Sequence, residues 1–500
     1  MSQSQHRGLI TASVTLATVL QSVDTTIANV ALPHIGGNLS ASLDQVDWVL
    51  TSYIVAAAIM TPLSGWLAGR FGRKRVLVLS VLGFTVSSVL CGMAQSIEQI
   101  VLFRVLQGLS GAGLVPLSQA VLLDINPPER HGRAMALWGQ GAVLGPMLAP
   151  VLGGWLTDNY SWRWVFYINV PFGILSAIGL MAYLRESETR RTRFDFLGFG
   201  GLSLAVGALQ ILLDRGELKD WFGSPEIWIE AGVAVGALYV FIVHTLTARQ
   251  PFISFGLFKD TNFAMGNLLI FMVGVVLFAT MALLPPLLQN LLGYPVLTSG
   301  IAMAPRGFGS FVSMYLAGRL IGRVDARLLI GVGIAMTAVS LEMMCGYSTL
   351  MPQTLVWSTT FLQGLGTGLT YVTLTSVAFA TLGAQYRSEG TSMFNLLRNV
   401  GSSIGIAATG ALLTSNTQVM HERLAAHILP WGGQIQLQAP FSFTAPAGLA
   451  ALNAAVTRQA QMIAYNDDFK LMFVLTLMLL PLVLLLRPAR ARPQEPAVVE

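Results

Sequence analysis

The chain has 500 residues, of which 54% are hydrophobic and 11% charged, and its mean hydropathy is +0.64. Soluble globular chains carry about 25% charge, so the composition excludes a water-soluble fold and overrides the several domains that length alone suggests. The net charge of +5 does not point to nucleic acid, because the basic residues are dispersed between apolar runs, as topology signals are.

A bilayer-crossing helix needs about 20 mostly apolar residues. Fourteen stretches qualify in chain order: 9–31, 46–69, 76–94, 97–122, 134–156, 164–184, 195–213, 226–247, 262–285, 298–318, 328–346, 353–380, 391–413 and 468–486. The first is too long, and too weakly followed by small residues, for a cleaved signal peptide. With the N-terminus placed in the cytoplasm, the Lys and Arg sort by the positive-inside rule. Twenty of the 29 fall in inner segments, six in outer segments, and three (Arg104, Arg306 and Arg398) within spans. The inner set includes Arg190, Arg191, Arg490 and Arg492. Both termini are therefore expected on the cytoplasmic side. Cys91 and Cys345 lie in apolar runs and read as small buried hydrophobes.

The first span contains LQSVDTTIANVALP, 20–33, with Asp24 in an otherwise apolar helix. A carboxylate in hydrocarbon is expensive and marks a functional residue by default. Arg104 lies in the fourth span, which runs the opposite way. Each is about seven residues from the outer end of its span, which at 1.5 Å per residue puts both about 10 Å deep. They can pair, directly or through water, and a carboxylate held between an opposite charge and desolvation can load and release a proton. The alternative is an Asp24 that only hydrogen-bonds neighbouring helices. Arg306, in APRGFG, and Arg398, in NLLRNVG, are candidates for cavity lining or gating, as is Gln107; Arg398 can instead snorkel to the inner surface. The glycine and proline beside Arg306 suggest a local irregularity. Glu342 and His244 lie near span ends.

GWLAGRFGRKR, 65–75, closes the second span and turns tightly into the third. Gly65 and Gly69 permit close helix contact and Gly72 a sharp turn. Arg70 and Arg73, with Lys74 and Arg75, can meet helix C-termini, acids or lipid phosphates, as a latch on the inner face. Arg130 and Arg133, with Glu129, repeat the pattern after the fourth span. GAVLGPMLAPVLGGWL, 141–156, exposes backbone at Gly141, Gly145, Gly153 and Gly154, while Pro146 and Pro150 can bend it. It is expected at a seam between halves.

LAGR at 67–70 recurs 249 residues later, and LQGL at 106–109 recurs 256 residues later. Two tetrapeptides in the same order at nearly the same offset suggest duplication. The expected fold is an all-α polytopic membrane protein: a six-helix half (1–190), two inserted helices (191–250), and a second six-helix half (251–500) with a long outer loop at about 414–467. Two halves around a central pathway is the alternating-access arrangement. Within that outer segment, PFSFTAPAG precedes an Ala/Gln-rich run, 449–464, that suits an amphipathic helix.

These residues resemble the fourteen-span drug:proton antiporters of the major facilitator superfamily, the branch of the EmrB and QacA type efflux pumps. The resemblance covers nearly the whole chain. Asp24 to Pro33 is similar to the family's first-span motif, and 65–75 to the superfamily's loop motif. Arg104, Gln107 and Gly108 resemble the fourth-span motif, whose arginine is associated with proton transfer. Gly141 to Gly154, with Gly145-Pro146, resembles the antiporter motif of the fifth span. One departure matters: the loop motif usually carries an aspartate where this chain has Gly69, so the latch must be weaker or use another acid.

The resemblance implies proton-coupled export from a bacterial inner membrane with no cofactor beyond the coupling proton. Its substrates would be small amphipathic compounds and its surroundings membrane lipids. In a Gram-negative host it also implies a periplasmic adaptor and an outer-membrane channel as partners. A transporter of a specific metabolite on the same fold remains the rival. No nucleotide loop, HExxH or His/Cys cluster is present, so neither an enzyme, an ATP-driven pump nor a metal site is expected.

Overall fold

The computed structural model describes residues 6–127, 130–189, 193–428, 441–442 and 445–487. Glu129, Arg190, Arg191, Arg490 and Arg492, and part of PFSFTAPAG, lie outside the described residues. The described chain is helical, as a bilayer requires of an open chain that must satisfy its own backbone.

The first six predicted segments fall on α1 (Arg7–Leu39), α2 (Leu43–Phe71), α3 (Arg73–Met93), the pair α4 (Ile97–Gly111) and α5 (Leu114–Ile125), α6 (His131–Asn159), and the pair α7 (Trp164–Tyr167) and α8 (Asn169–Tyr183). The fourth segment is broken in two at Gly111–Ala112–Gly113, where glycine lowers helix propensity. Then come α9 (Phe196–Arg215) and α10 (Pro225–Thr247), followed by α11 (Thr261–Pro286), α12 (Val296–Leu320), α13 (Ala326–Cys345), α14 (Gln353–Ala380), α15 (Arg387–Ala426) and α16 (Pro446–Val483). Among the described residues, ten helical stretches are long and apolar enough to cross a membrane; α1, α12, α14 and α16 are not among them. Side-chain caps start several helices: Ser96 accepts from Gln99 N–H, Asp195 from Gly198 N–H and Asp260 from Phe263 N–H.

Packing repeats. In the first half α1 packs on α6 and α8, α2 on α4, and α3 on α4 and α8. In the second half α11 packs on α15 and α16, α12 on α14, and α13 on α14 and α16. The halves meet where α6 faces α12 and where α2 and α5 face α15. Of the two central helices, α9 packs against both α2 and α15, while α10 packs mainly on α9. On α10, Val235, Tyr239 and Leu246 are exposed, an apolar surface suited to lipid.

The segment 414–467 differs from expectation. It is not one long loop: α15 runs on to Ala426 and α16 starts at Pro446, so most of it is helical extension, linked by His421 to Asn453. Hydropathy marks where a bilayer ends, not where a helix ends. The run 449–464 is the first part of α16.

Candidate functional site

The end of the bundle at the α2–α3 turn, which carries Arg70, Arg73, Lys74 and Arg75, is the basic face. Asp24 sits mid-way along α1 and Arg104 on α4, three residues before Gln107, so the last two share one helix side. All three are fully buried. Arg104 Nη1 donates to Asp24 Oδ2 at 2.6 Å and to Gln107 Oε1 at 2.7 Å. Asp24 Oδ1 accepts from Gln107 Nε2 at 2.8 Å and from Asn169 Nδ2 at 2.9 Å. Ser88 Oγ on α3 accepts from the same two amides, at 2.7 and 3.1 Å. Arg104 Nε donates to the Val49 carbonyl at 3.0 Å, and its Cζ lies 4.2 Å from the centre of the Tyr53 ring.

Three helices, α1, α4 and α8, therefore meet at one carboxylate, and α2 and α3 complete the network around it. A buried ion pair survives only with good geometry and satisfied lone pairs, and both oxygens of Asp24 are satisfied here. The structure places Gln107 in this network and not along a cavity. Sequence reasoning missed Ser88, Asn169 and Tyr53. The signal for Asn169 was a lone amide in FYINVPFG.

The glycines of α6 have two destinations. Gly141 packs against Thr15, Gly145 against Ser22 and Val23, and Gly153 against Ile27, all on α1. The opposite side of α6 meets α12: Gly139 lies against Met314, Gly132 against Ile321, and Gln140 donates to the Phe311 carbonyl at 3.1 Å. The stretch 141–156 thus lies on a helix at the seam between halves, where Met147 packs against Gly307 of α12, but its motif glycines face away from that seam. They let α6 approach the helix that carries Asp24, while its other side touches the second half. Gly154 has open space beside it, and α6 continues unbroken through Pro146 and Pro150.

This predicts a contrast. Gly145→Leu forces a side chain where a Cβ alone would lie 2.8 Å from the Ser22 Cβ, and such overpacking costs about 1–3 kcal/mol. Gly154→Leu should leave the thermal midpoint of the detergent-purified chain unchanged while Gly145→Leu lowers it.

The acid missing at Gly69 is replaced from another helix. Arg73 forms an ion pair with Asp124 at the end of α5, and Arg387 at the start of α15 pairs with the same carboxylate at 2.8 Å. Arg387 also donates to the Leu123 carbonyl at 3.0 Å. Asp124 thus joins the two halves at the basic face. Gly65 packs against Ser388 and Ser392 of α15, and Ser64 Oγ lies 3.1 Å from Ser392 Oγ. Gly72 has φ +95°, a turn that disfavours a side chain. Glu186 then caps α3, accepting from the Lys74 and Arg75 N–H groups at 3.0 and 3.2 Å. Gly69 has open space beside it, and Arg70 forms no ion pair among the described residues.

Above this latch a second set of bonds crosses between halves. Asn395 donates to Gln119 at 2.6 Å, and Tyr371 OH accepts from Arg398 at 3.0 Å and from Gln119 at 3.4 Å. Trp138 stacks on Tyr371 at 6.4 Å. Arg398 therefore turns into the bundle and does not snorkel. Arg306 is buried on α12, donating to the Leu277 carbonyl at 3.1 Å, with no carboxylate partner among the described residues. α12 runs unbroken past Pro305 and Gly307, so the expected irregularity is absent.

Residues 14–406 match the Major Facilitator Superfamily. The chain belongs to that superfamily. It is 36% identical to the multidrug export protein EmrB of Escherichia coli (strain K12), covering 96% of this chain and 95% of that one. It is equally 36% identical to the fatty acid resistance protein FarB of Neisseria gonorrhoeae, covering 96% of each. Among solved structures, the human organic anion transporter MFSD10 superposes with a TM-score of 0.61 at 13% identity, covering 94% of this chain and 99% of that one. The proton:xylose symporter XylE also gives 0.61 at 13% identity, covering 96% and 97%. These two show a shared major facilitator fold.

Proposed function

We propose that this chain is a proton-coupled exporter of amphipathic drugs or toxic compounds, working by alternating access in a bacterial inner membrane. The observation that carries the coupling is Asp24, fully buried and bonded to Arg104, Gln107 and Asn169. The export direction is supported by the names of relatives 36% identical over nearly the whole chain. Protonation of Asp24 removes the charge that holds Arg104, so α1 and α4 lose their strongest mutual attraction. α1 shares close packing with α6, and α6 touches α12, so a shift at Asp24 reaches the second half.

In this reading the chain crosses the membrane fourteen times, with α4–α5 and α7–α8 each counting once. Both termini lie in the cytoplasm, as the bias of Lys and Arg suggests. A Gram-negative host would supply a periplasmic adaptor and an outer-membrane channel.

The test uses purified protein in sealed liposomes holding a pH-sensitive dye. A lipophilic cation, a neutral drug and a weak-acid uncoupler are each imposed as a gradient, with a protein-free control for leak. Proton counterflow that depends on substrate and is lost in Asp24→Asn is the expected result. Protons moving with the substrate would indicate symport and overturn export.

A further inference from the structure

Asp468 on α16 is fully buried, and neither carboxylate oxygen has a hydrogen-bond partner among the described residues. It stands in the inward stripe of α16 with Met472, Thr476 and Leu479, beside an apolar cluster that includes Leu284, Leu288, Met344, Tyr465 and Phe469. Charged groups at this level are few. Asp467 is half-buried and Lys470 exposed on α16, and Glu342 is exposed on α13, which also contributes Cys345, with Tyr347 just beyond its end. Neither α11, Thr261–Pro286, nor α15 between Arg398 and His421 carries a charged side chain.

An ionised carboxylate without partner or water costs several kcal/mol. A carboxyl so placed costs least when it carries a proton. Asp24 is its opposite, a carboxylate surrounded by donors. Two acids in contrasting surroundings, one per half, suit complementary proton states.

The stripe also leads inward. Thr476 lies eight residues further along α16, about 12 Å deeper. There it lines a cavity of about 20 Å³ with Thr337, Thr367, Thr370 and Leu277, and a cavity of roughly 10–15 Å³ already holds one water. The Thr370 hydroxyl is buried without a partner, and the Leu277 carbonyl is the one that Arg306 bonds.

We propose that Asp468 is a second proton-exchanging carboxylate, placed in the second half and reached from the face opposite the basic face. This rests on the proton-driven reading above. Hydronium gives its proton to the Asp468 carboxylate and leaves as water; on release that O–H bond breaks, its electron pair stays on the carboxylate and the proton returns to water, so no co-reactant is needed.

The experiment is infrared difference spectroscopy of the purified, substrate-free full chain through a pH series. At neutral pH the wild type should show a protonated-carboxyl C=O band that is lost in Asp468→Asn and retained in Asp24→Asn. Raising the pH should remove that band reversibly, and Asp468→Glu should keep a titrating band at a shifted position. A band that persists at every pH where the protein stays folded marks a sealed structural acid and overturns the proposal. So does the lack of any Asp468-dependent band in wild type compared with Asp468→Glu, should Asp468→Asn not fold. Because no substrate is used, failure of the liposome assay and failure here are distinguishable.

Discussion

Arg104→Ala should destabilise the chain by about 3–5 kcal/mol, because it leaves Asp24 charged, buried and without its cation. In the structure Arg104 supplies the 2.6 Å bond to Asp24 and also ties α4 to the Val49 carbonyl on α2. Asp24→Asn should cost a similar amount: the amide oxygen can still accept from Gln107 and Asn169, but Arg104 is left buried and charged with an NH2 group where its carboxylate stood. The double variant D24N/R104A removes both charges at once. It should recover much of the loss seen in Arg104→Ala. Thermal denaturation of the four proteins in detergent measures this as a double-mutant cycle. Losses that merely add would show that the two residues do not act as a pair.

Asp124→Ala should open the basic face. The substitution leaves Arg73 and Arg387 facing each other with no acid between them. A hydrogen bond to a charged group contributes about 1.5–3 kcal/mol, so loss of the Arg387 bond alone shifts the open-to-closed ratio by roughly tenfold or more. Asn395→Cys reports the opening, with Cys91 and Cys345 replaced by alanine. The native Asn395 is buried at the seam between halves. A membrane-impermeant thiol reagent applied to the basic face should label it faster in the Asp124→Ala background. Gly69→Asp should slow labelling again, because there is room beside Gly69 and the family places its acid there. Equal labelling rates with and without Asp124 would reject the latch.

The charged residues of the site were legible because a charge in an apolar run is conspicuous and helix rise gives its depth. Asp24 and Arg104 were brought to one level by that arithmetic alone. Ser88 and Asn169 were not found, because neutral polar residues are ordinary in membrane helices and periodicity does not say which of them converge. Asp124 was missed because it lies on a different helix from 65–75, and spacing along the chain carries no record of that contact. The glycine pattern of 141–156 showed that something packs closely there, but not that the partner is α1. The extension of α15 was read as loop because residues such as TSNTQVMHER are polar; the start of α16, 449–464, was read as a helix but not as part of the last span. Their helicity continues beyond the apolar stretch.

The burial of Asp24 inside one half has a consequence for what can be carried. Its network draws on α1, α2, α3, α4 and α8, and none of its atoms reaches the seam where the halves separate. Cargo in that seam and a proton on Asp24 therefore do not compete for the same atoms in this conformation. On the proposed proton-coupled reading, exchange between them would be mechanical, passed through the close packing of α1 with α6. A linkage of this kind is indifferent to the charge of the cargo, so chemically unrelated molecules can ride on the same proton cycle.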